Sequence, residues 1–228
     1  MNLHQFHSTQ EAVQHVVSTL LTDINQSLLK KNQYHIAVAG GTSVIPFFDL
    51  IIRKQEEVKQ WNQVHFFWVD ERWVPHHHAE SNYGAALTAG LGKLQAHLHP
   101  FDTTVQDPQT SCSQYADMME RTMGASKHLD HVILGVGDDG HIASIFSGDI
   151  TAAQQGITIT TQHPQSGQPR VGLTLHTLSQ AKRVTVLVFG DRKRKILEAI
   201  KKADSTDLPI VALLKLNPEM DIVTDIHA

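Results

Sequence analysis

A chain of 228 residues with 41% hydrophobic side chains has the material for a sizeable core, and its formal charge of −4 excludes the basic excess that nucleic-acid binders carry. Its one cysteine, Cys112, excludes an internal disulfide and fits a reducing compartment as an ordinary small side chain. Residues 1–14 show neither the basic nor the apolar region of a secretory signal, and no stretch approaches the roughly 18 uninterrupted apolar residues of a membrane helix, so a cytoplasmic protein without a membrane partner is expected.

Residues 10–31 read as a helix, with Val13, Val16, Val17, Leu20, Leu21, Ile24 and Leu28 at three- and four-residue spacing and Asn32 as a stop. A short apolar strand, 35–39, runs directly into Gly40-Gly41-Thr42-Ser43, and 44–59 reads as the next helix. A strand, a Gly-Gly-hydroxyl turn and a helix together offer backbone N–H groups and a positive helix end to a phosphate. The same residues also suit a plain tight turn with hydroxyl caps. Neither a Walker loop nor a GxGxxG fingerprint is present, which disfavours a nucleotide.

The second buried strand, 64–69, ends at Asp70-Glu71-Arg72-Trp73. Such a charged triplet is commonly a solvated turn. An arginine at a strand's carboxyl end can also hold a phosphate in bidentate fashion, with Asp70 and Glu71 available to orient it or to serve acid/base chemistry. The following loop carries His76-His77-His78, part of a complement of 16 histidines, and His97 and His99 lie downstream. Adjacent residues on an extended loop point in different directions, whereas metal sites gather ligands from separated elements, so solvated loop histidines are expected and no metal is assigned.

Ser81-Asn82 opens a helix to about residue 94, 100–110 is a Pro-, Asp- and Thr-rich connection, and 113–123 is helical. The strand 131–136 then breaks into Gly135-Val136-Gly137-Asp138-Asp139-Gly140-His141. Its glycines let the backbone turn sharply and leave room for a ligand against the main chain. An Asp-Gly-His triplet at the carboxyl edge of a sheet is a general base with a supporting acid, although a structural histidine would satisfy the same pattern. Further on, 157–159 is a short strand, 170–175 an edge or antiparallel strand, 178–182 a turn or short helix, and 184–189 a buried strand ending at Gly190. The basic helix that follows places Lys193 in its first turn, within reach of a phosphate at the sheet edge, or simply in solvent. Residues 209–214 read as a last apolar strand. Strands alternating with helices predict a single α/β domain over 1–228, with a mostly parallel, Rossmann-like sheet flanked by helices on both faces.

Four blocks coincide with one family pattern: Ala39-Gly40-Gly41-Thr42-Ser43; Val69-Asp70-Glu71-Arg72 with Ser81-Asn82; Gly135 through Phe146; and Arg170 to Leu175 followed by Gly190 to Lys193. In order and spacing they resemble the 6-phosphogluconolactonase family, within the wider group that shares the glucosamine-6-phosphate deaminase fold. Arg72 after Asp-Glu, Ser81-Asn82, and Ala-Ser-Ile-Phe after His141 favour the lactonase branch; the glutamate that deaminases carry after the histidine has no counterpart. Val44 and Ser147 stand where the family usually has proline, and 215–220 is atypical.

The resemblance implies hydrolysis of 6-phospho-D-glucono-1,5-lactone to 6-phosphogluconate in the oxidative pentose phosphate pathway. His141 is then the general base, and Asp139 either fixes its tautomer or orders the turn. Gly40, Gly41, Thr42, Ser43, Asp70, Arg72, Arg170 and Lys193 contact the substrate and its phosphate. No metal or organic cofactor is required. The partner is the sugar-phosphate lactone, and the chain is a monomer or homodimer. A glucosamine-6-phosphate deaminase or isomerase, or a sugar-phosphate sensor without catalysis, is the alternative.

Overall fold

The computed structural model describes residues 1–41, 43–124, 128–205 and 207–227. In chain order its first elements are β1 (Asn2–Gln5), α1 (Thr9–Leu28), β2 (Tyr34–Val38), α2 (Ile45–Arg53), β3 (Val64–Trp68), β4 (Asp70–Arg72), α3 (Asn82–Thr88) and β5 (His97–His99). They continue with α4 (Pro108–Met123), β6 (His131–Gly135), β7 (Thr158–Gln162), β8 (Pro169–Leu173), α5 (Leu175–Ser179), β9 (Arg183–Val188), α6 (Arg194–Lys202), α7 (Pro209–Leu216) and β10 (Asp221–Thr224). Every residue of β2 and β3 is buried, as strands covered on both faces require.

Seven strands form a parallel sheet in the order β1-β10-β9-β6-β2-β3-β5, and β4, β8 and β7 form a second, antiparallel sheet. From β2 the chain proceeds outward to β3 and β5; from β6 it proceeds the other way to β9 and β10. Right-handed crossovers therefore put α1, α2 and α3 on one face. They put α4, the second sheet, α5, α6 and α7 on the other. The packing agrees: α1 lies against α2, α4 against β7 and β8, and α7 against α5 and α6. The reversal between β2 and β6 opens a crevice outside the strands' carboxyl ends, the place where such sheets bind ligands.

Several boundaries differ from the sequence reading. The apolar run expected as a strand over 209–214 is helix α7, with Pro209 in its first turn, where no amide donor is needed, and Ile210, Val211, Leu213 and Leu214 buried. A short, continuously apolar run does not distinguish a buried helix from a buried strand; the strand position is taken by β10. Helix α2 stops at Arg53 rather than 59. Helix α3 stops at Thr88, ahead of Gly90 at φ 99°. Helix α4 starts earlier than expected, at Pro108, because the Asp107 side chain accepts the Thr110 N–H. Strands β1 and β5 escape sequence reading because Asn2-Leu3-His4-Gln5 and His97-Leu98-His99 are too short and polar to show a pattern.

The parallel register aligns His35, His65 and His97 across β2, β3 and β5, with His99 two residues along on the same face. His65 stacks on His97 at 4.5 Å and on His99 at 5.2 Å, and His65 Nδ1 lies 3.0 Å from His99 Nε2. Stacked rings carry their lone pairs side by side rather than towards one point. Among the described residues no group of three or more His, Cys, Asp or Glu is arranged to hold a metal ion. Burial, then repulsion from neighbouring histidines, pushes the imidazoles of His65 and His99 each down to about 4. The nearby carboxylate, Asp130, is already engaged by Lys31, Lys182 and the His35 N–H.

In the unfolded chain these histidines titrate near 6.5. As pH falls, the unfolded state therefore takes up protons before the folded state does. The stability contributed by the neutral pair is complete above about pH 6.5 and is lost as pH falls towards 4, at about 1.4 kcal/mol per pH unit for each proton taken up on unfolding. Denaturant midpoints between pH 4 and 7 should show this slope, and the double variant His65→Gln with His99→Gln should flatten it. A slope unchanged in that variant would place the acid sensitivity elsewhere.

Candidate active site

The crevice is lined by the ends of β2, β4, β6 and β8 and by the turn after β9. At the end of β2, Gly40 lies so close to Asn82 that a Cβ would fall 1.9 Å from Oδ1, and Gly41 adopts φ +84°. A larger residue at 40 would displace Asn82, and an L side chain at 41 would be strained. Ser43 also lines the crevice, just ahead of α2, which begins without a side-chain cap. Thr42 lies outside the described residues.

Beyond β6 the chain folds into a tight loop. The Gly137 N–H donates to His141 O at 2.9 Å, and the Gly140 N–H donates to Gly137 O at 3.1 Å. Asp139 Oδ1 accepts both from the His141 backbone N–H, at 3.2 Å, and from ring Nδ1, at 2.6 Å. With Nδ1–H facing a carboxylate, Nε2 is the free acceptor. A Cβ at Gly137 would sit 2.2 Å from His141 Nδ1 and 2.6 Å from Asp139 Oδ1, so glycine there makes room for the pair. Phe146 packs against the imidazole at 5.1 Å, with His163 edge-on behind it. Partial burial works to raise the Asp139 carboxyl; the charge and hydrogen bonds of His141 outweigh it, and the net shift is downward. The same oxygen thus touches both the ring nitrogen and the backbone amide that the two roles considered for Asp139 involve.

The Asp-Glu pair divides. Glu71 is buried and accepts from the backbone N–H of Arg72, Asn82 and Tyr83 and from Ser81 Oγ, all within 2.9 Å. Burial pushes its carboxyl up against those four hydrogen bonds, and its task is to fasten the start of α3 to β4. Asp70 instead lines the crevice, accepting from Ser144 Oγ at 2.6 Å and Asn82 Nδ2 at 3.2 Å.

Arg72 and Arg170 are directly opposed in the β4–β8 ladder, and both reach the crevice. The Nε atoms of both are buried without a partner. Arg72 Nη1 donates to Glu80 O at 2.5 Å, whereas among the described residues the Arg170 guanidinium makes no hydrogen bond. Burial, and then the adjacent Arg72, lower the pKa of Arg170. Asp70, Glu80 and Glu71 oppose that shift without cancelling it, so the two like charges opposed on the sheet still favour a bound anion. Lys193 adds a third cation, its Nζ donating to Ser43 Oγ at 3.2 Å and its pKa lowered chiefly by burial.

Tertiary structure thus brings Gly40, Gly41, Ser43, Asp70, Arg72, His141, Arg170 and Lys193 to one crevice, with Asp139 behind His141. From sequence, Asn82 and Ser144 are parts of family blocks, Asn82 also a helix opening, and neither carries a site role; in the structure both contact Asp70. The His76-His77-His78 run lies apart, lining a separate groove beside α3, where His76 Nε2 is 2.8 Å from Phe101 O.

Fold and crevice define the class: an α/β protein whose sheet-end site sets one carboxylate-held histidine beside three cations. The chain belongs to the glucosamine-6-phosphate isomerase/6-phosphogluconolactonase family, whose sequence model matches residues 7–221. It is 30% identical over 209 residues to a 6-phosphogluconolactonase of Synechocystis, covering 88% of this chain and 85% of the relative. The crystal structure of the 6-phosphogluconolactonase of Thermotoga maritima superposes with a TM-score of 0.84 at 26% identity, covering 98% of each chain. A monomeric glucosamine-6-phosphate deaminase shares the fold, at a TM-score of 0.83 and 16% identity over 98% of this chain and 97% of that one.

Proposed function

We propose that this chain is a 6-phosphogluconolactonase, opening the δ-lactone of 6-phosphogluconate by hydrolysis with His141 as general base. The observation that carries the reading is the pairing of a directed base with two opposed arginines whose buried Nε atoms lack hydrogen-bond partners. His141 Nε2 is left free by the 2.6 Å bond from Nδ1 to Asp139, and the unpartnered Nε atoms of Arg72 and Arg170 await an anion. His141 Nε2 takes a proton from water as the oxygen attacks the lactone carbonyl. The amides of the Gly40-Gly41 turn stand ready for the oxyanion. When the tetrahedral intermediate collapses, the bond to the ring oxygen breaks and the imidazolium returns its proton there, giving a free hydroxyl and a carboxylic acid, which releases its own proton to solvent to become the carboxylate.

Arg72, Arg170, Lys193 and Ser43 hold the phosphate, and Asp70 accepts a sugar hydroxyl. Phosphate binding away from the reacting carbon supplies the energy that positions the lactone. We place the reaction in the cytoplasm, where the buried, unpaired thiol of Cys112 is stable, with the chain a monomer or homodimer. Among the described residues no helix is long and apolar enough to cross a membrane. The test is to generate the lactone in situ from glucose 6-phosphate with a dehydrogenase and follow its loss. Acceleration above the spontaneous rate is expected. Ammonia and fructose 6-phosphate from glucosamine 6-phosphate, with no lactone acceleration, would overturn the assignment.

A further inference from the structure

Asp70 reaches the crevice from a three-residue strand, and two neighbouring side chains hold its carboxylate in place. Ser144, three residues after His141 and itself buried, donates Oγ to Asp70 Oδ2 at 2.6 Å, and Ser144 O in turn accepts from Thr161 Oγ1 at 2.7 Å. Asn82, 2% exposed, donates Nδ2 to the Asp70 backbone oxygen at 2.9 Å and to Oδ1 at 3.2 Å. Its amide cannot be reversed, because a flip would set Oδ1 against two acceptor oxygens. Oδ1 accordingly points away from Asp70, buried and without a partner, onto the bare Cα of Gly40. The Asn82 backbone N–H is also held, by Glu71 Oε1 at 2.7 Å. One side chain therefore ties Asp70, the glycine turn after β2 and the start of α3 into a fixed arrangement.

We propose that Asn82 is a positioning residue for catalysis, acting through Asp70: its amide donor holds the Asp70 carboxylate at the angle from which it receives the substrate hydroxyl, while its oxygen seats the Gly40 turn. This rests on the lactonase reading of the same crevice. A second effect follows from the chemistry of the pair. Asp70 has Asn82 as its only amide donor among the described side chains, so replacing that donor with an acceptor would leave two carboxyl groups facing one another. One of them would then stay protonated near neutral pH.

The test is Asn82→Asp. The side chain is nearly isosteric and an acid is favourable in the first turn of a helix, so the fold is retained. At pH 8, kcat/KM should fall about ten- to a hundredfold relative to wild type, mostly through KM, as expected for loss of one charge-assisted hydrogen bond. As pH is lowered to 5.5, the ratio of variant to wild type measured at each pH should climb towards one, because a protonated carboxyl at position 82 again donates to Asp70. Asn82→Ala, which removes the donor without adding a charge, should lose activity by a factor that does not change with pH. A merely structural role would give both variants the same pH-independent ratio, and that result would overturn the proposal, as would an undiminished kcat/KM in Asn82→Asp. Lactone hydrolysis by the wild type is measured in the same series. If it is absent, the lactonase reading fails; if it is present and the Asn82→Asp ratio is flat, only the role of Asn82 fails.

Discussion

Replacing His141 with alanine should lower turnover of the lactone by about 10²–10⁴-fold, the range that a positioned general base contributes. The expectation rests on where the ring sits rather than on its identity alone. Asp139 takes Nδ1 at 2.6 Å, Phe146 lies against the ring face at 5.1 Å, and the remaining nitrogen faces the crevice. The His141 side chain is 32% exposed and makes no hydrogen bond to the core, so its removal should leave the thermal midpoint nearly unchanged. A structural histidine would show the opposite pair of results: a lowered midpoint with turnover per folded molecule retained. KM should change little, because the proposed role of the imidazole is to take a proton from the attacking water and not to hold the phosphate. Near-normal turnover in the folded variant would sink the assignment.

Arg170→Gln should raise KM for the phosphorylated lactone about 10- to 100-fold, the loss of a charged hydrogen bond of roughly 1.5–3 kcal/mol, while leaving kcat nearly intact. The same change should hold or raise the thermal stability of the unliganded protein. Arg170 directly faces Arg72 across the β4–β8 ladder and makes no hydrogen bond among the described residues, so its charge is a cost to the fold until an anion arrives. Arg72→Ala should raise KM similarly but also release Glu80 O from its 2.5 Å contact, so it should lose some stability. The phosphate role is checked with a non-phosphorylated lactone: wild type and Arg170→Gln should hydrolyse it alike. An equal loss on both substrates, or a marked drop in melting temperature for Arg170→Gln, would contradict the role given to the pair. The behaviour expected is the common exchange of stability for function at a binding site.

Much of this site is legible in the sequence because its parts lie where buried strands end. Runs such as Val64 to Val69 and Val132 to Leu134 mark central strands by apolarity alone, and the polar residues that interrupt them must lie at the sheet's edge. Gly137, Asp139 and His141 are also close in the chain, so their mutual geometry is local; the two-residue spacing lets one Asp139 oxygen reach both the backbone N–H and Nδ1 of His141. Less legible is the last part of the chain. Pro209 to Leu214 is apolar throughout, and whether such a run becomes helix or strand depends on what covers it. The short strands β1 and β5 exist only because a neighbouring strand supplies their hydrogen bonds.

Taken alone, the sequence determines the alternating α/β architecture, the glycine turns and the histidine proposed as the general base, because periodicity, turn geometry and contacts between near neighbours are properties of local stretches of chain. Tertiary structure decides the rest. It separates Asp70 from Glu71, turning one carboxylate into the crevice and spending the other on the start of α3. It sets Arg72 against Arg170, 98 positions away by their numbers in the chain, in an antiparallel register that no local pattern encodes. It also makes Asn82, at the opening of α3, a partner of Asp70 and Gly40. These pairings are long-range, and their geometry follows from how whole strands and helices pack, which no stretch of sequence read by itself contains.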